Sequence, residues 1–525
     1  MNRLTIKDIE KILEDRVEKD EFKTLKSLPL PSVFKDMSKA TNRIVTAIKN
    51  DETINLVGDY DVDGVTSTAI MVEFFSKIGV EINYIIPNRF EHGYGLSPII
   101  LEQIYDGLII TVDNGISAVE AASICKKRSL DLIITDHHTV GEQLPDAYAI
   151  INPKQKDCLF PFKEICGAQV AWYLCASIKN SLKIKYNLME LFDLLALAIV
   201  ADIMPMVSIN QTMVKAGLKA LISSQRPAIV ALKKRYGLVE VTEEDIGFKI
   251  APLINCAGRI SDPSIALEFL FSFDEFEANS QLDYLIELNE QRKQEQLNIF
   301  TQAKEQVDVA SDVVVVSSDN WNEGIVGIVA AKLCEKYKKP AFVFSIKNGI
   351  AKASARSDEN THLYNLIKLS SENLIGFGGH KQAAGMSCKV SDIGAFEKSL
   401  NENIKNLPKE EEIKDEDFLG DFSLSDVGDE VYNMIESFRP FGQNNKYPIF
   451  RFNSVNIQSI TKIGKNKEYT KLIVTDSYID VEVVIFLDLD TDGINIGDKI
   501  TFTATISKNE YKGNIKYNLM LKEFL

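Results

Sequence analysis

The sequence lacks the features that mark secreted, membrane-embedded and zinc-stabilised proteins. Its 525 residues include seven cysteines and no C-x-x-C pair, so neither a zinc site nor a disulfide framework is expected. The longest uninterrupted apolar stretch, Leu194 to Ala201, is far shorter than the about 20 residues that cross a bilayer. The charged start MNRLTIKDIEKILEDR has no apolar region of the signal-peptide type. We therefore expect a cytoplasmic protein with reduced thiols.

An excess of basic residues is also missing. The chain has 59 Lys and Arg against 75 Asp and Glu, which gives a formal charge of -16. Proteins that coat nucleic acid by bulk electrostatics usually carry a basic excess, so the charge weighs against that class but leaves room for a local basic groove. Apolar residues at 45% and charged residues at 26% are typical of soluble globular proteins and exclude disordered and collagen-like classes.

Short apolar runs alternate with helical stretches from about residue 54. The runs INLV, INYII, LIITV, DLIIT and AYAII have this spacing, which predicts a parallel sheet covered by helices on both faces. Further helices are expected up to about residue 275. Residues 279–307 contain no Pro or Gly and have Leu and Ile at helical spacing, so they predict one connecting helix.

A second and smaller α/β unit is predicted by DVVVV, GIVGIVAAKLCEKYKK, AFVFS and AKASA. After the charged stretch NLPKEEEIKDED, five short segments rich in β-branched and aromatic residues predict a small antiparallel barrel of the oligonucleotide-binding (OB) type. The expected division is therefore an N-terminal helical segment (1–45), an α/β domain (46–278), a connecting helix (279–307), a second α/β domain (308–405), an acidic linker (406–417) and a barrel (418–525).

Acidic residues and histidines follow three of the predicted strands. INLVG leads into Asp59, Asp61 and Asp63, LIITV leads into Asp113, and DLIIT leads into Asp136-His137-His138. Open α/β sheets place their ligands at the carboxyl ends of the strands, so these side chains should converge on one crevice. A single D-x-D-G is more often a turn than a metal site, and a histidine pair can lie at a surface, but the three strand ends together favour a metal site.

The predicted density of carboxylates requires either protonation or a polyvalent cation among them. Oxygen ligands with an imidazole and no thiolate favour Mn²⁺ or Mg²⁺ over zinc. Five or six such ligands can hold two ions about 3.5 to 4 Å apart, an arrangement that stabilises the attacking and leaving oxygens of a phosphoryl transfer. The chemistry implied is phosphoester hydrolysis.

Four motifs, GDYDVDG, TVDNG, TDHH and ALAIVADIMPM, resemble those of the DHH phosphoesterases. The segments IPNRFEHGYGLS, INCAGRISDP, NEGIVGIVAAKL, SARS, GFGGHKQAAGMS and RPFGQNNKYPIF extend the likeness to the RecJ family of exonucleases from about residue 45 onward. This resemblance implies a parallel-sheet DHH domain, a long helix, a smaller α/β DHHA1 domain and a C-terminal OB barrel.

The resemblance also implies roles for individual residues. It makes Asp61, Asp63, Asp113, His137 and Asp202 the metal ligands, with Asp113 bridging two ions. Asp59 and Asp136 support the site, Asp136 by orienting His137, and His138 contacts the scissile phosphate. Some metal-dependent relatives carry a histidine shortly before the D-x-D, where this chain reads NLVG, so water or Asp59 would replace that ligand.

Cationic and polar groups opposite the metals would hold the substrate. The implied set is Arg89, Tyr94, Asn255, Arg259, Ser354, Arg356, Gly378, Gly379 and His380, the last three in a glycine-rich loop. In the barrel, aromatic residues to stack bases and lysines to contact phosphates are expected among Tyr469, Tyr511, Tyr517, Lys462, Lys465, Lys467, Lys471, Lys508, Lys512 and Lys516. For any single arginine or tyrosine, a solvated charge or a half-buried core position is the plain alternative.

The implied activity is a metal-dependent exonuclease that removes 5'-mononucleotides from single-stranded DNA in the 5'-to-3' direction, in recombination and DNA repair. The expected partners are single-stranded DNA, a helicase and a single-strand-binding protein, and the chain is expected to be a monomer without membrane contact. One alternative is a DHH phosphodiesterase for short oligonucleotides, cyclic dinucleotides or pyrophosphate, which residues 418–525 argue against. A second is a DHH scaffold that binds single strands without catalysis, which the intact set of strand-end acids argues against.

Overall fold

The computed structural model describes residues 3–17, 21–357, 360–407, 418–464, 467, 469–486, 493–511 and 513–525. The chain separates into two compact units. The larger unit comprises Pro29–Asp202 and Gly217–Glu412, and the barrel unit comprises Met1–Leu28, Ile203–Ala216 and Ile413–Leu525. Among the described residues, no helix is both long enough and apolar enough to span a bilayer.

A five-stranded parallel sheet begins the larger unit, as the alternation of apolar runs predicts. Its strand order is β2-β1-β3-β4-β5, and β1, β3, β4 and β5 are buried along their whole length because helices cover both faces. Up to this sheet's last strand the elements are α1 (Ile6–Val17), α2 (Met37–Lys49), β1 (Ile54–Val57), α3 (Val62–Lys77), β2 (Asn83–Ile85), α4 (Pro98–Leu101), β3 (Leu108–Val112), α5 (Val119–Lys127), β4 (Leu132–Thr135) and β5 (Ala149–Ile151).

A helical region follows the sheet and ends in the predicted connecting helix. Its helices are α6 (Gly167–Leu182), α7 (Phe192–Ala201), α8 (Ser208–Ser223), α9 (Pro227–Tyr236), α10 (Glu243–Asp245), α11 (Ala251–Ile260), α12 (Ser264–Leu270) and α13 (Glu275–Gln306). Helix α13 is continuous over 32 residues and starts before the predicted boundary, because the Asp274 side chain accepts a hydrogen bond from the backbone of Glu277 at 2.9 Å and caps it.

The second sheet of the larger unit is mixed, with strand order β6-β7-β8-β10-β9. Only β6 and β7 pair in parallel, because α14 connects them, and the other pairs are antiparallel. The elements are β6 (Val314–Ser318), α14 (Val326–Tyr337), β7 (Ala341–Lys347), β8 (Ile350–Arg356), α15 (Leu363–Leu369), β9 (Leu374–Gly379), β10 (Ala383–Lys389) and α16 (Ile393–Asn403).

The barrel unit contains the predicted closed five-stranded barrel, with order β11-β12-β13-β15-β14. The barrel is not wholly antiparallel as predicted, because β13 and β15 pair in parallel. Its elements are α17 (Asp429–Glu436), β11 (Phe450–Ile463), β12 (Tyr469–Thr475), β13 (Asp480–Ile485), β14 (Lys499–Tyr511) and β15 (Asn514–Phe524). Helix α1 belongs to this unit, since Ile9 and Leu13 are buried in the same core as barrel residues such as Phe450. Most of the predicted acidic linker, residues 408–417, lies outside the described residues.

Candidate metal centre and substrate-binding groups

Three neighbouring strands of the first sheet end at the same edge, directly before the predicted acidic and histidine residues. Strands β1, β3 and β4 are adjacent and parallel, and they lead into Asp59, Asp113 and Asp136 respectively. Their side chains converge with residues from two helices. Ligand-type atoms lie within 4.8 Å of one another in three overlapping groups, which are Asp59, Asp61 and Asp113; Asp63, His137 and Asp202; and Asp113, His137 and His138.

The imidazole of His137 lies at the centre of this cluster. Its Nε2 is 3.1 Å from Asp113 Oδ1, 3.7 Å from Asp63 Oδ2 and 3.7 Å from Asp202 Oδ2. Asp63 also accepts hydrogen bonds of 2.6 and 2.8 Å from the first two backbone amides of α6, whose positive dipole end favours a carboxylate. These contacts fix the carboxylates around a small volume between three elements of the fold.

Three carboxylate oxygens of the cluster are buried and accept no hydrogen bond from the described residues: Asp59 Oδ1, Asp113 Oδ1 and Asp202 Oδ2. Burial, and then the charge of neighbouring aspartates, raises the pKa of each of these carboxyls well above its ordinary value. A polyvalent cation removes this electrostatic conflict. Carboxylate oxygens with an imidazole are donors that suit Mn²⁺ or Mg²⁺, so the residues present fit a divalent metal centre.

The prediction that Asp136 orients the imidazole of His137 is wrong, because it is His138 that Asp136 orients. Asp136 Oδ1 accepts a hydrogen bond from His138 Nδ1 at 2.8 Å, while it meets only the backbone amide of His137, at 2.7 Å. The Nδ1 atom of His137 is buried without a partner among the described residues. The sequence could not show whether Asp136 orients His137 or His138, because the two arrangements differ only in the side-chain rotation of adjacent residues.

The two adjacent histidines therefore have opposite charge states near neutral pH. Burial lowers the pKa of His137 to about 4, so its imidazole is neutral and available as a metal ligand. Burial opposes the charging of His138, but the hydrogen bond from its ring to Asp136, together with the negative charges of Asp136, Asp202 and Asp59, outweighs that effect and raises the pKa of His138 to about 9. His138 is thus a cation beside the carboxylate cluster.

Arg89 and Tyr94 lie beside the carboxylate cluster. The Tyr94 hydroxyl is 3.5 Å from His138 Nε2 and donates a hydrogen bond of 3.4 Å to the backbone oxygen of Asp113. The guanidinium of Arg89 lies 4.2 Å from the centroid of the Tyr60 ring. Both groups can meet a phosphate that approaches the metals.

Helix α11 places Asn255 against the start of α3 and Arg259 against the segment between β6 and α14. Asn255 Oδ1 accepts a hydrogen bond of 3.2 Å from the backbone amide of Val62, the first residue of α3. Arg259 Nη1 donates to the backbone oxygen of Gly324 at 3.3 Å. Burial and the charge of Arg89 lower the pKa of Arg259 to about 10, so the guanidinium stays charged near neutrality.

The second sheet contributes Ser354 and Arg356, which lie on β8 against the first turn of α14. A Cβ atom added at Gly327 would lie 3.3 Å from Ser354 Oγ and 3.5 Å from Arg356 Nη2. Burial lowers the pKa of Arg356, as expected for a guanidinium held away from solvent. The glycine keeps the helix start close to two polar groups.

The predicted glycine-rich loop is instead the end of a strand. Gly378 and Gly379 belong to β9 and pair with Gly385 and Ala384 of β10. Gly379 has a φ of 149°, and a Cβ atom there would lie 2.5 Å from the Ala384 Cα, so glycine is required by close strand contact. His380 follows β9, and burial together with the charge of His138 lowers its pKa.

Sequence reasoning missed two glycines that the site requires. A Cβ atom at Gly167, the first residue of α6, would lie 2.6 Å from the Cβ and Oδ1 atoms of Asp113. A Cβ atom at Gly324 would lie 2.0 Å from the backbone oxygen of Arg259. The available signals were the glycines in CGAQ and NEGIVG, each just before or at a predicted helix start.

On the barrel, the predicted stacking residues are only partly free. The Tyr517 hydroxyl donates a hydrogen bond of 2.6 Å to Asp429, and Tyr469 packs edge-on against Phe486 with ring centroids 4.7 Å apart. Phe486 is half exposed and was not predicted. Lysines Lys471 and Lys516 lie 3.7 and 3.5 Å from Glu482. Lys465, Lys512 and the side chain of Tyr511 fall outside the described part of the chain.

Family models match three parts of the chain: the DHH family N-terminal domain at residues 53–199, the DHHA1 domain at residues 310–406 and the RecJ OB domain at residues 420–523. Among solved structures, RecJ of Thermus thermophilus in complex with Mn²⁺ superposes with a TM-score of 0.84 at 23% identity, over 98% of this chain and 76% of that one. An exonuclease RecJ bound to manganese gives a TM-score of 0.63 at 28% identity, over 72% of this chain and 96% of that one.

Curated relatives agree with these matches. The single-stranded-DNA-specific exonuclease RecJ of Bacillus subtilis is 35% identical over 507 residues, which are 94% of this chain. The chain spans 64% of the length of that relative. The enzyme of the same name from Salmonella typhimurium is 33% identical over 448 residues, which cover 79% of this chain and 77% of the relative. The chain therefore belongs to the RecJ family of single-stranded-DNA-specific exonucleases.

Proposed function

We propose that this protein is a metal-dependent exonuclease that hydrolyses single-stranded DNA from the 5' end to 5'-mononucleotides, in recombination and DNA repair. The observation that carries the proposal is a group of buried carboxylate oxygens, from Asp59, Asp113 and Asp202, which accept no hydrogen bond from the described residues. Family membership supports the choice of substrate, because the curated relatives are named for activity on single-stranded DNA.

The proposed metal ligands are Asp61, Asp63, Asp113, His137 and Asp202, which would hold two Mn²⁺ or Mg²⁺ ions. Bound ions of this kind supply a water molecule of lowered pKa and neutralise charge that develops on a phosphate. Asp113 takes part in two of the three ligand groups, which supports its proposed bridging position. Asp59 shares one of those two groups and supports the site from the end of β1.

The side chains of this chain supply the remaining interactions. His138 is charged near neutrality and its Nε2 can donate to a phosphate oxygen, while Asp136 fixes the ring through Nδ1. Arg89 and Arg259 add positive charge, and Tyr94 adds a neutral hydroxyl because burial raises its pKa. Ser354, Arg356 and His380 would bind the nucleotide end from the second sheet.

The proposal also covers the roles of the domains and the partners of the enzyme. The barrel at residues 418–525 would bind the strand, and helix α13 would connect the two α/β domains, with 1–45 and 406–417 as flanking segments. A helicase and a single-strand-binding protein are the proposed partners of a monomeric, cytoplasmic enzyme. These two partners follow from the proposed substrate, because a helicase presents single strands and a single-strand-binding protein covers them.

The test is degradation of end-labelled single-stranded DNA with Mn²⁺ or Mg²⁺ by the wild type and by Asp113→Ala. Substrates labelled at either end establish polarity, and duplex and RNA substrates are controls. We expect mononucleotide release from the 5' end that the substitution abolishes. A wild type that binds single strands and hydrolyses none of these substrates with any metal would overturn the proposal and favour a scaffold function.

A further inference from the structure

The guanidinium of Arg89 is held by an aromatic ring rather than by a carboxylate. It lies 4.2 Å from the centroid of Tyr60, within the range of a cation-π interaction. Its Nε atom is buried and has no hydrogen-bond partner among the described residues. Arg89 therefore stands next to the carboxylate cluster with donor groups that the described protein atoms leave unused.

The Tyr60 ring that holds this guanidinium is itself fixed in place. Tyr60 lies between Asp59 and Asp61 in the loop that joins β1 to α3, and its ring makes an edge contact with Tyr94 at 6.0 Å between centroids. Helix α11 also packs closely against Tyr60, since a Cβ atom added at Gly258 would lie 2.5 Å from the Tyr60 backbone oxygen and 3.2 Å from its Cβ atom. The ring thus has little freedom to move away from Arg89.

A ring and a carboxylate differ in what they leave available on an arginine. A carboxylate partner would occupy the N–H donors and neutralise the charge, whereas the face of a ring attracts the cation and leaves the donors in the guanidinium plane free. The phosphate of a DNA strand needs those donors, because bidentate contacts use two N–H groups at once. The metal-site loop therefore contains both the acidic groups and a support for a cation.

We propose that Tyr60 is a positioning residue, which holds the Arg89 guanidinium at the metal centre so that it can bind a backbone phosphate of single-stranded DNA. The inference rests on the proposed function, because it describes how that site binds its substrate. The contact uses the ring face, so the hydroxyl is dispensable.

The experiment is steady-state kinetics on 5'-labelled single-stranded DNA with Tyr60→Leu, Tyr60→Phe, Arg89→Ala and the double variant Tyr60→Leu/Arg89→Ala. We expect Tyr60→Leu to raise KM about tenfold while kcat changes by less than about threefold, the size of a partly desolvated cation-π contact. Tyr60→Phe should retain the wild-type KM. In the Arg89→Ala background, Tyr60→Leu should change KM by less than about twofold, because the group it positions is gone.

Binding of Mn²⁺ to the same variants, measured by calorimetry without DNA, separates positioning from damage to the metal loop. We expect Tyr60→Leu to bind Mn²⁺ as the wild type does. Weakened Mn²⁺ binding, an unchanged KM, a Tyr60→Phe defect equal to that of Tyr60→Leu, or equal effects in both Arg89 backgrounds would each overturn the inference. If the wild type itself hydrolyses no single-stranded DNA, the proposed function fails instead, so the two failures are distinguishable.

Discussion

The strand-end cluster and the barrel surface are both expected to contact the substrate, yet their polar groups are in opposite states. In the cluster, oxygens of Asp59, Asp113 and Asp202 are buried and accept no hydrogen bond from the described residues. On the barrel, Tyr517 donates to Asp429, and Lys516 lies 3.5 Å from Glu482. Leaving buried polar groups unpaired is costly, so the first state indicates that the cluster binds a cation, whereas paired surface groups carry no such indication.

The largest expected effect comes from removing the carboxylate at the centre of the cluster. Asp113→Ala should lower kcat about 10³-fold or more, since the metal centre loses a residue that belongs to two ligand groups. The measurement is single-turnover hydrolysis with Mn²⁺, together with calorimetric metal binding. Asp157→Ala is the matched control, because that aspartate is exposed and lies 3.6 Å from Lys35 at the surface. If Asp113→Ala remained active, the unpaired carboxylates of the cluster would no longer differ in functional importance from the paired groups of the barrel surface.

Removing the metal should reverse which protein is more stable, the wild type or Asp113→Asn. Without metal, the carboxylates repel one another, so Asp113→Asn should increase the free energy of unfolding by about 2 kcal/mol relative to the wild type in EDTA. With Mn²⁺, the wild type should be the more stable protein, because bound metal stabilises only the folded state. Thermal unfolding with and without metal measures both. A destabilised Asp113→Asn protein in EDTA would contradict the electrostatic interpretation.

The metal-free protein should also lose stability as the pH rises from about 6.5 to about 9. The pKa of His138 is raised to about 9 in the folded state against 6.5 as its ordinary value, so the folded protein binds the proton more tightly. That stabilisation is complete below pH 6.5 and disappears as the pH passes about 9. Chemical unfolding across this range should show a shallower pH dependence for His138→Gln. An unchanged slope would show that Asp136 does not stabilise the charged ring.

A smaller effect is expected for the exposed aromatic residue of the barrel. Phe486→Ala should weaken binding of single-stranded DNA about tenfold, since stacking of one base on an aromatic ring is worth about 1 to 3 kcal/mol. Phe486 is the better candidate for base stacking than Tyr469, because its ring is half exposed and packs against Tyr469. Fluorescence anisotropy in the absence of metal measures binding without hydrolysis. Equal affinities of the variant and the wild type would leave the barrel without this stacking contact.

The smallest effect is expected for Tyr517→Phe, which removes only the hydroxyl that donates to Asp429. The affinity for single-stranded DNA should change by less than about twofold, because the hydroxyl already has a protein partner and the ring remains. The same anisotropy measurement applies. A loss as large as that of Phe486→Ala would mean that Tyr517 exchanges its protein partner for DNA, and the comparison between the two regions would weaken.

Local pattern predicted much of this protein. Strands β1 to β5 and β11 to β15 correspond to the apolar runs that predicted them. The runs of β1, β3, β4 and β5 are continuous because these strands are buried along their whole length. The convergence of Asp113 and His137 followed from their position after adjacent parallel strands. The strand form of Gly378 and Gly379 was not predicted, since a pairing partner in β10 determines it and glycine alone suggests a turn.

By itself, then, the sequence determined the three family domains, the sheet edge where the acids gather and the chemistry that such acids support. Only the tertiary structure decided which adjacent histidine is charged, which ring holds Arg89, and that the amides of α6 support Asp63 across 104 residues of chain. It also decided that α1 joins the core of the barrel unit. The physical reason is that burial and hydrogen-bond partners depend on residues far apart in the chain, whereas strand periodicity and strand-end spacing are local properties.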